Sequence, residues 1–373
     1  MNRREIAQQR LAQADQALAA RGYGAALSAY RSVLGMGFES WAIHINTAQC
    51  LKRTGQLQAA FGHYERAFAL KRRPSDWRTG GRDALPPAVA TAEPVTETYL
   101  RQLIAQLNWL QAEDRIDWFD EAVASELRFL LAGGGRGRIS PWSKALTQLC
   151  AHRVEAAVPG VIMNPEARVT RVPLSGGEGD AFYILDDVLT PQARTALLAE
   201  LLGNTYWFDA RADRRYLGAH LHDGFSTPLV LALAQAMQAA ISARVGQVAM
   251  AQLWAFRYLE DSDGIDIHAD QGDWNLNIWP VDECHLSQAG GEGGMTLYDL
   301  RIGADIPFEL YNARPDLNRA RIEAAGARAH VVPYRGNRAV LFPSRYLHKT
   351  NAARFADSHE GRRINVTMMA DRA

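Results

Sequence analysis

From about Arg168 onward the chain is cut into short apolar or alternating runs separated by glycine, proline and asparagine. This punctuation limits the possible folds more than any other feature. The runs fall at 180–189, 249–258, 265–270, 274–279, 294–300, 330–333, 339–342 and 363–369. Runs of that length with period-two alternation read as strands. Two helical patterns flank them: one is opened by Thr190-Pro191 and runs through Leu202, and the other spans 228–243. Many short strands with two helices beside them predict a double-stranded β-helix, a jelly roll with helical buttressing, over 168–373.

The N-terminal part has a different period. Ala14, Gly22, Ala26, Tyr30 and Val33 are matched by Ala48, Gly55, Ala60, Tyr64 and Ala67, at an offset of 34 residues with one slip at the glycine. Small residues where helices touch, with an aromatic residue one turn later, form the tetratricopeptide pattern. Residues 1–70 are therefore expected to be helical repeats, and two units alone would be marginal. The proline- and glycine-rich stretch 71–98 reads as a linker. A helical region follows over 99–165, with helices at 99–112, 118–131 (stopped by Gly133-Gly134-Gly135) and 141–154 (capped by Ser140, with Pro141 first). The fold class expected is α+β.

Composition narrows the function. A formal net charge of +0 provides no bulk field toward nucleic acid or anionic membrane. No run appears long enough to span a membrane, and the start of the chain lacks the apolar core of a secretory signal. Cys50, Cys150 and Cys284 are scattered, so neither a disulfide framework nor a structural zinc cluster is indicated. The cytoplasm is the expected location.

The chemistry points to the C-terminal third. In a strand, residues two apart share a face, so His268 and Asp270 point together while Ile267 and Ala269 point away. His348, expected from a strand crossing nearby, supplies a second imidazole. Two imidazoles and one carboxylate on one face of a metal are the ligand set of non-heme Fe(II) oxygenases. A structural zinc site would instead be closed by four ligands, usually including cysteine. Arg363 or its neighbour Arg362 is suited to hold the far carboxylate of a 2-oxo acid. Asn275, Asn277 and Trp279 share a strand face, which places the asparagines to touch oxo acid or substrate, or to form a polar ladder inside the barrel, and makes Trp279 a possible substrate contact. His220 and His222 read as rim residues near substrate. Trp207, Trp254 and Trp274 read as core.

Several of these motifs together resemble the prolyl-4-hydroxylase-type branch of the 2-oxoglutarate/Fe(II) dioxygenases. Phe256-Arg257-Tyr258 stands ten residues before His268-Ala269-Asp270; Gly290–Gly294 precedes Met295-Thr296-Leu297-Tyr298; and Arg363-Ile364-Asn365-Val366-Thr367 closes the set. The resemblance implies that His268, Asp270 and His348 hold Fe(II), that Arg363 anchors 2-oxoglutarate, that Tyr258 hydrogen-bonds it, and that O2 is consumed. The longer spacing from His348 leaves Arg362 as an alternative anchor, and asparagines replace the usual tyrosine-leucine pair at 275–277. Asp270 disfavours the halogenating branch.

The implied activity is hydroxylation of a C–H bond with succinate and CO2 as co-products. A peptide or protein side chain is the expected substrate, because helical repeats build extended concave surfaces. A free amino acid or natural-product intermediate is the alternative, and a non-catalytic interaction protein is the alternative of a different class. The stretches 282–294 and 303–326 are candidate lids, or plain surface loops.

Overall fold

The computed structural model describes residues 2–72, 97–115, 132, 153–154, 156–175, 177, 179–211, 216–259, 261–287, 293–356 and 358–372. The helix expected at 118–131, nearly all of that expected at 141–154, and most of the linker lie outside these residues. Two compact units are present. One comprises Met1–Glu155, Gly203–Phe208 and Ala219–Leu231; the other comprises Ala156–Leu202, Asp209–Gly218 and Ala232–Ala373.

The first unit holds helices α1 (Arg3–Ala19), α2 (Tyr23–Gly35), α3 (Trp41–Arg53), α4 (Leu57–Arg72) and α5 (Glu97–Ala112). A capping box starts α1: Asn2 accepts from the Glu5 N–H, and Glu5 accepts from the Asn2 N–H. Consecutive helices from α1 to α4 pack on one another. Ala14, Ala26, Ala48 and Ala60 are fully buried, and Tyr30 and Tyr64 are buried beside them. Alanine at such contacts lets helix axes approach closely. The Tyr30 hydroxyl donates to Asp15 at 2.5 Å and accepts from Asn46 at 3.0 Å. In α5, Leu100, Leu103, Leu107 and Leu110 form a buried stripe at helical spacing. The 219–231 segment is held by a buried Lys71–Asp223 ion pair of 3.0 Å and by a Ser226 hydroxyl donating to Glu65.

The second unit holds the sheets. Its strands are β1 (Arg168–Pro173), β2 (Ala181–Asp186), β3 (Asp209–Arg211), β4 (Tyr216–His220, whose end enters the first unit), β5 (Val248–Tyr258), β6 (Asp261–Ser262), β7 (Ile265–His268), β8 (Trp274–Trp279), β9 (Met295–Arg301), β10 (Ala329–Val332), β11 (Arg338–Pro343), β12 (Tyr346–Thr350), β13 (Ala353–Arg354) and β14 (Ile364–Arg372). The larger sheet has the order β1-β2-β11-β8-β14-β5-β4-β3, the smaller one β10-β9-β12-β7, and β13 pairs with β6. All pairings are antiparallel. From β5 onward the chain alternates between the two main sheets at nearly every step: β5, β8, β11 and β14 in one, β7, β9, β10 and β12 in the other. That alternation is the jelly-roll winding. Between the sheets lies a core of Phe182, Trp279, Val340 and Phe342 from one side and Met295, Leu297, Val332 and Tyr346 from the other.

Helices α6 (Pro191–Gly203), α7 (Pro228–Val245), α8 (Phe308–Asn312) and α9 (Pro315–Ala325) accompany the sheets. By length and composition α7 is apolar enough to cross a membrane, which corrects the reading that no run approaches that length. Its Leu233, Ala234, Met237 and Ile241 are buried in the protein, as in a core helix.

The segment 303–326 also needs correction. It is not a lid or a plain loop but contains α8 and α9. Tyr311, Phe308 and Ile322 pack on Ile267, Ala269 and Leu347. By alternation, those residues face away from His268 and His348.

Candidate metal centre

His268 ends β7 and His348 lies within β12, and the two are direct partners across the antiparallel ladder. Opposed residues on one sheet face bring their side chains together, and the ring centroids are 4.3 Å apart. The second imidazole therefore comes from the neighbouring strand of the same sheet rather than from a crossing one. Asp270 lies just beyond β7 instead of within it. The reason is local: the Ala269 N–H donates to the Tyr311 carbonyl at 3.1 Å, and the Asp270 N–H donates to the Ser344 carbonyl at 2.9 Å. These bonds bend the backbone out of the ladder and aim the carboxylate at the imidazoles.

Each histidine places Nδ1 against the carbonyl two residues before it, His268 on Asp266 at 2.7 Å and His348 on Tyr346 at 3.0 Å. A carbonyl only accepts, so the proton sits on Nδ1 and the Nε2 lone pair faces the site. The His268 Nε2 is 3.8 Å and the His348 Nε2 is 3.5 Å from the Asp270 carboxylate. Ligand atoms of the three residues lie within 4.8 Å of one another, and this is the one such cluster among the described residues. Burial works to raise the Asp270 carboxyl, but the His348 hydrogen bond, both imidazoles and the Asn275 amide hold it down at about 2. It is thus ionised at neutral pH, as a ligand must be.

Two asparagines grip this carboxylate. The Asn275 Nδ2 donates to Asp270 Oδ2 at 2.7 Å. The Asn312 Nδ2 donates to the Ala269 carbonyl at 3.0 Å and reaches Asp270 Oδ1 at 3.5 Å. Behind them the buried Asn318 ties the Ile267 carbonyl at 3.0 Å to that of Tyr311 at 2.8 Å.

Arg363 immediately precedes β14 and is buried. Its guanidinium lies 4.7 Å from the Tyr258 ring centroid, 5.5 Å from Trp279 and 5.8 Å from Tyr334. Among the described residues its Nε and Nη1 have no hydrogen-bond partner, and neither does the Tyr258 hydroxyl or the Asn275 Oδ1. Burial lowers the Arg363 guanidinium below its ordinary range. Arg362 is buried too, close enough to Arg257 to influence it electrostatically. By alternation it belongs to the other face.

A metal and an oxo acid fit these residues. Three ligands, with no fourth in the cluster among the described residues, leave coordination positions open. A buried guanidinium with unpartnered N–H groups suits a carboxylate, and a buried hydroxyl without a partner suits a second contact to the same anion.

The other predicted residues are placed as follows. Asn277 accepts from Thr367 at 2.5 Å and from Asn365 at 3.4 Å, so it lies in a polar ladder between β8 and β14. Trp279, the possible substrate contact, is 1% exposed and stacks on Tyr334 beside the Arg363 guanidinium. His220 and His222 fall within 219–231, outside the cluster, with rings stacked at 5.6 Å. Of these two only His220 belongs to a strand. Of the predicted core tryptophans, Trp207 and Trp274 are buried. In the candidate lid 282–294, residues 283–285 form a short helical turn, and 288–292 lie outside the described residues. Sequence reasoning did not find Asn312, Asn318 or Tyr334. The first two lie in a stretch read as a loop, and Tyr334 meets Arg363 only through the tertiary fold.

No protein-family model matches the sequence, and no curated protein matches it. Solved structures do match in part. HygX from Streptomyces hygroscopicus, with nickel and 2-oxoglutarate bound, shares 14% identity over 52% of this chain and 84% of its own, with a TM-score of 0.38. SnoN, a non-heme alpha ketoglutarate dependent epimerase from nogalamycin biosynthesis, shares 17% identity over 52% and 82%, with a TM-score of 0.39. A prolyl 4-hydroxylase structure from Phytophthora capsici shares 16% identity over 52% and 59%, with a TM-score of 0.32. At these identities and TM-scores none of them assigns a reaction to this chain.

Proposed function

We propose that this chain is an Fe(II)- and 2-oxoglutarate-dependent oxygenase that hydroxylates a C–H bond, with a peptide or protein side chain as substrate. The reading rests on one observation: a buried, unpartnered guanidinium shares the second unit with an open cluster of two imidazoles and a carboxylate. An iron centre with its oxo acid supplies the oxidising power for a C–H bond, which no amino-acid side chain has.

The protein's own residues position and exclude. His268 and His348 present Nε2 lone pairs because their Nδ1 protons are engaged by backbone carbonyls. Asp270 contributes the anionic ligand. Arg363 would receive the distal carboxylate of the oxo acid on its unpartnered N–H groups, and the Tyr258 hydroxyl would donate to the same molecule. Trp279 and Tyr334 shield that contact from water, which strengthens a charge-assisted bond. The antiparallel helices α1–α4, with their buried alanines, support the tetratricopeptide reading and through it an extended substrate.

Anaerobic titration with Fe(II) and 2-oxoglutarate tests the proposal. Wild type should develop a visible charge-transfer band and His268→Ala should not. Absence of a band in wild type refutes the oxygenase reading. Mass spectrometry of candidate peptides after aerobic turnover, seeking the gain of one oxygen atom, tests the substrate class.

A further inference from the structure

We infer that Asn275 is a positioning residue that holds the Asp270 carboxylate against the two imidazoles. The inference rests on the metal-centre reading above and adds an assignment within it. Both Asp270 oxygens face an imidazole: Oδ1 lies 3.8 Å from the His268 Nε2 and Oδ2 lies 3.5 Å from the His348 Nε2. Oδ2 also accepts the Asn275 amide at 2.7 Å, whereas the Asn312 amide approaches Oδ1 only at 3.5 Å. The short Asn275 bond is therefore the side-chain contact that holds the carboxylate in this orientation.

The orientation of the Asn275 amide follows from chemistry. An ionised carboxylate accepts only, so the group facing it must be the NH2 and not the amide oxygen. Asn275 is fully buried on β8, and its register is set on both sides, by Phe342 on β11 and by Met369 on β14. Nothing in its own sequence neighbourhood demands an amide there, since the flanking Trp274 and Leu276 are apolar core residues. Partners of this kind around a metal ligand typically change metal affinity about 10- to 100-fold when removed.

The test compares Asn275→Leu with Asn277→Leu in the full-length chain. Both replace a buried or half-buried asparagine on the same face of the same strand by a side chain of similar size. Only Asn275 touches Asp270. Co(II) affinity is read from its visible d–d spectrum, without turnover, and 2-oxoglutarate affinity is then read on the Co(II)-loaded protein. We expect Asn275→Leu to weaken Co(II) binding about tenfold or more and Asn277→Leu to leave it within about twofold. Asn275→Ala, which avoids overpacking, should repeat the loss if the leucine variant does not fold. Equal loss in the 275 and 277 variants, or no loss in either, overturns the role of Asn275 while leaving the metal centre standing. Failure of wild type to bind Co(II) at all overturns both.

Discussion

Arg363→Met separates what the buried arginine costs the fold from what it does for a ligand. In the ligand-free protein its Nε and Nη1 are buried without partners. Each unsatisfied buried donor costs about 1–3 kcal/mol. The surrounding rings return part of that, about 2 kcal/mol for a desolvated cation–π contact, here strongest with Tyr258 at 4.7 Å. Methionine fills a similar length and needs no hydrogen bonds. Exchanging buried ion pairs for apolar groups of similar volume is often neutral or stabilising by about 1–4 kcal/mol, and for this lone arginine the balance comes to about 0–4 kcal/mol in favour of the variant. At about 2–4 °C per kcal/mol, the ligand-free variant should melt level with wild type or up to about 16 °C above it. Adding 2-oxoglutarate at about 100 times its dissociation constant to the Co(II)-loaded protein should then stabilise wild type by about 2.7 kcal/mol and the variant by almost nothing. Differential scanning calorimetry with and without the oxo acid reads both effects. A folded variant that melts below wild type, or one that gains as much from the oxo acid, refutes the reasoning.

Two further outcomes are expected. Asn318→Leu removes the amide donor from the Ile267 and Tyr311 carbonyls, the second of which keeps the Ala269 N–H; it should cost about 1–3 kcal/mol in urea unfolding and weaken Co(II) binding by loosening the segment that carries Asp270. In the helical unit, burial first, then His44 and Arg31, depress the His63 imidazole, whose Nδ1 is 2.7 Å from that of His44. The folded chain then binds this proton less readily than the unfolded chain, so stability falls as pH drops below about 6.5. Urea midpoints followed by far-UV circular dichroism near pH 7.5 and near pH 5.5 should differ in wild type and differ less in His63→Gln; an equal difference in both would remove His63 as the cause.

The parts of the fold that were legible in the sequence are those in which local pattern and tertiary role agree. The run at 274–279 is β8 residue for residue, because apolar and polar positions alternate between two covered faces. His268, Asp270 and His348 were legible as ligand types; the two-residue spacing marked His268 and Asp270, although β7 ends at His268 and Asp270 is aimed by a loop bond to Ser344. What hid was any element defined by its partner. The strand containing His348 begins two residues after Ser344, so a turn signal masked it. Helices α8 and α9 lie in a stretch of mixed charge, and their amphipathic stripe is short; Tyr311 and Asn318 acquire meaning only where Ile267 and Ala269 need a cover and a donor. Tyr334 follows a proline and looks like a loop residue until the fold sets it against Trp279 at 5.3 Å.

One strand carries the link between the two ends of the site. On β8 the residues 275, 277 and 279 share a face, and each has a different partner. Asn275 holds the metal carboxylate, Asn277 accepts from Thr367 in the ladder to β14, and Trp279 stacks beside Arg363. Over four residues at about 3.3 Å each, the backbone positions of 275 and 279 stand some 13 Å apart along the strand. A shift of one residue would turn all three side chains to the opposite face and present Leu276 and Ile278 in their place. The register is held on both sides, by six pairs with β11 and five with β14, so the positions of Asn275 and Trp279 are a property of the sheet. In a sandwich otherwise filled by Phe182, Leu297, Val340 and Phe342, the polar face of β8 therefore does two things: Asn277 ties β8 to β14 through Thr367, and Asn275 gives Asp270 a donor that an apolar side chain at 275 would remove.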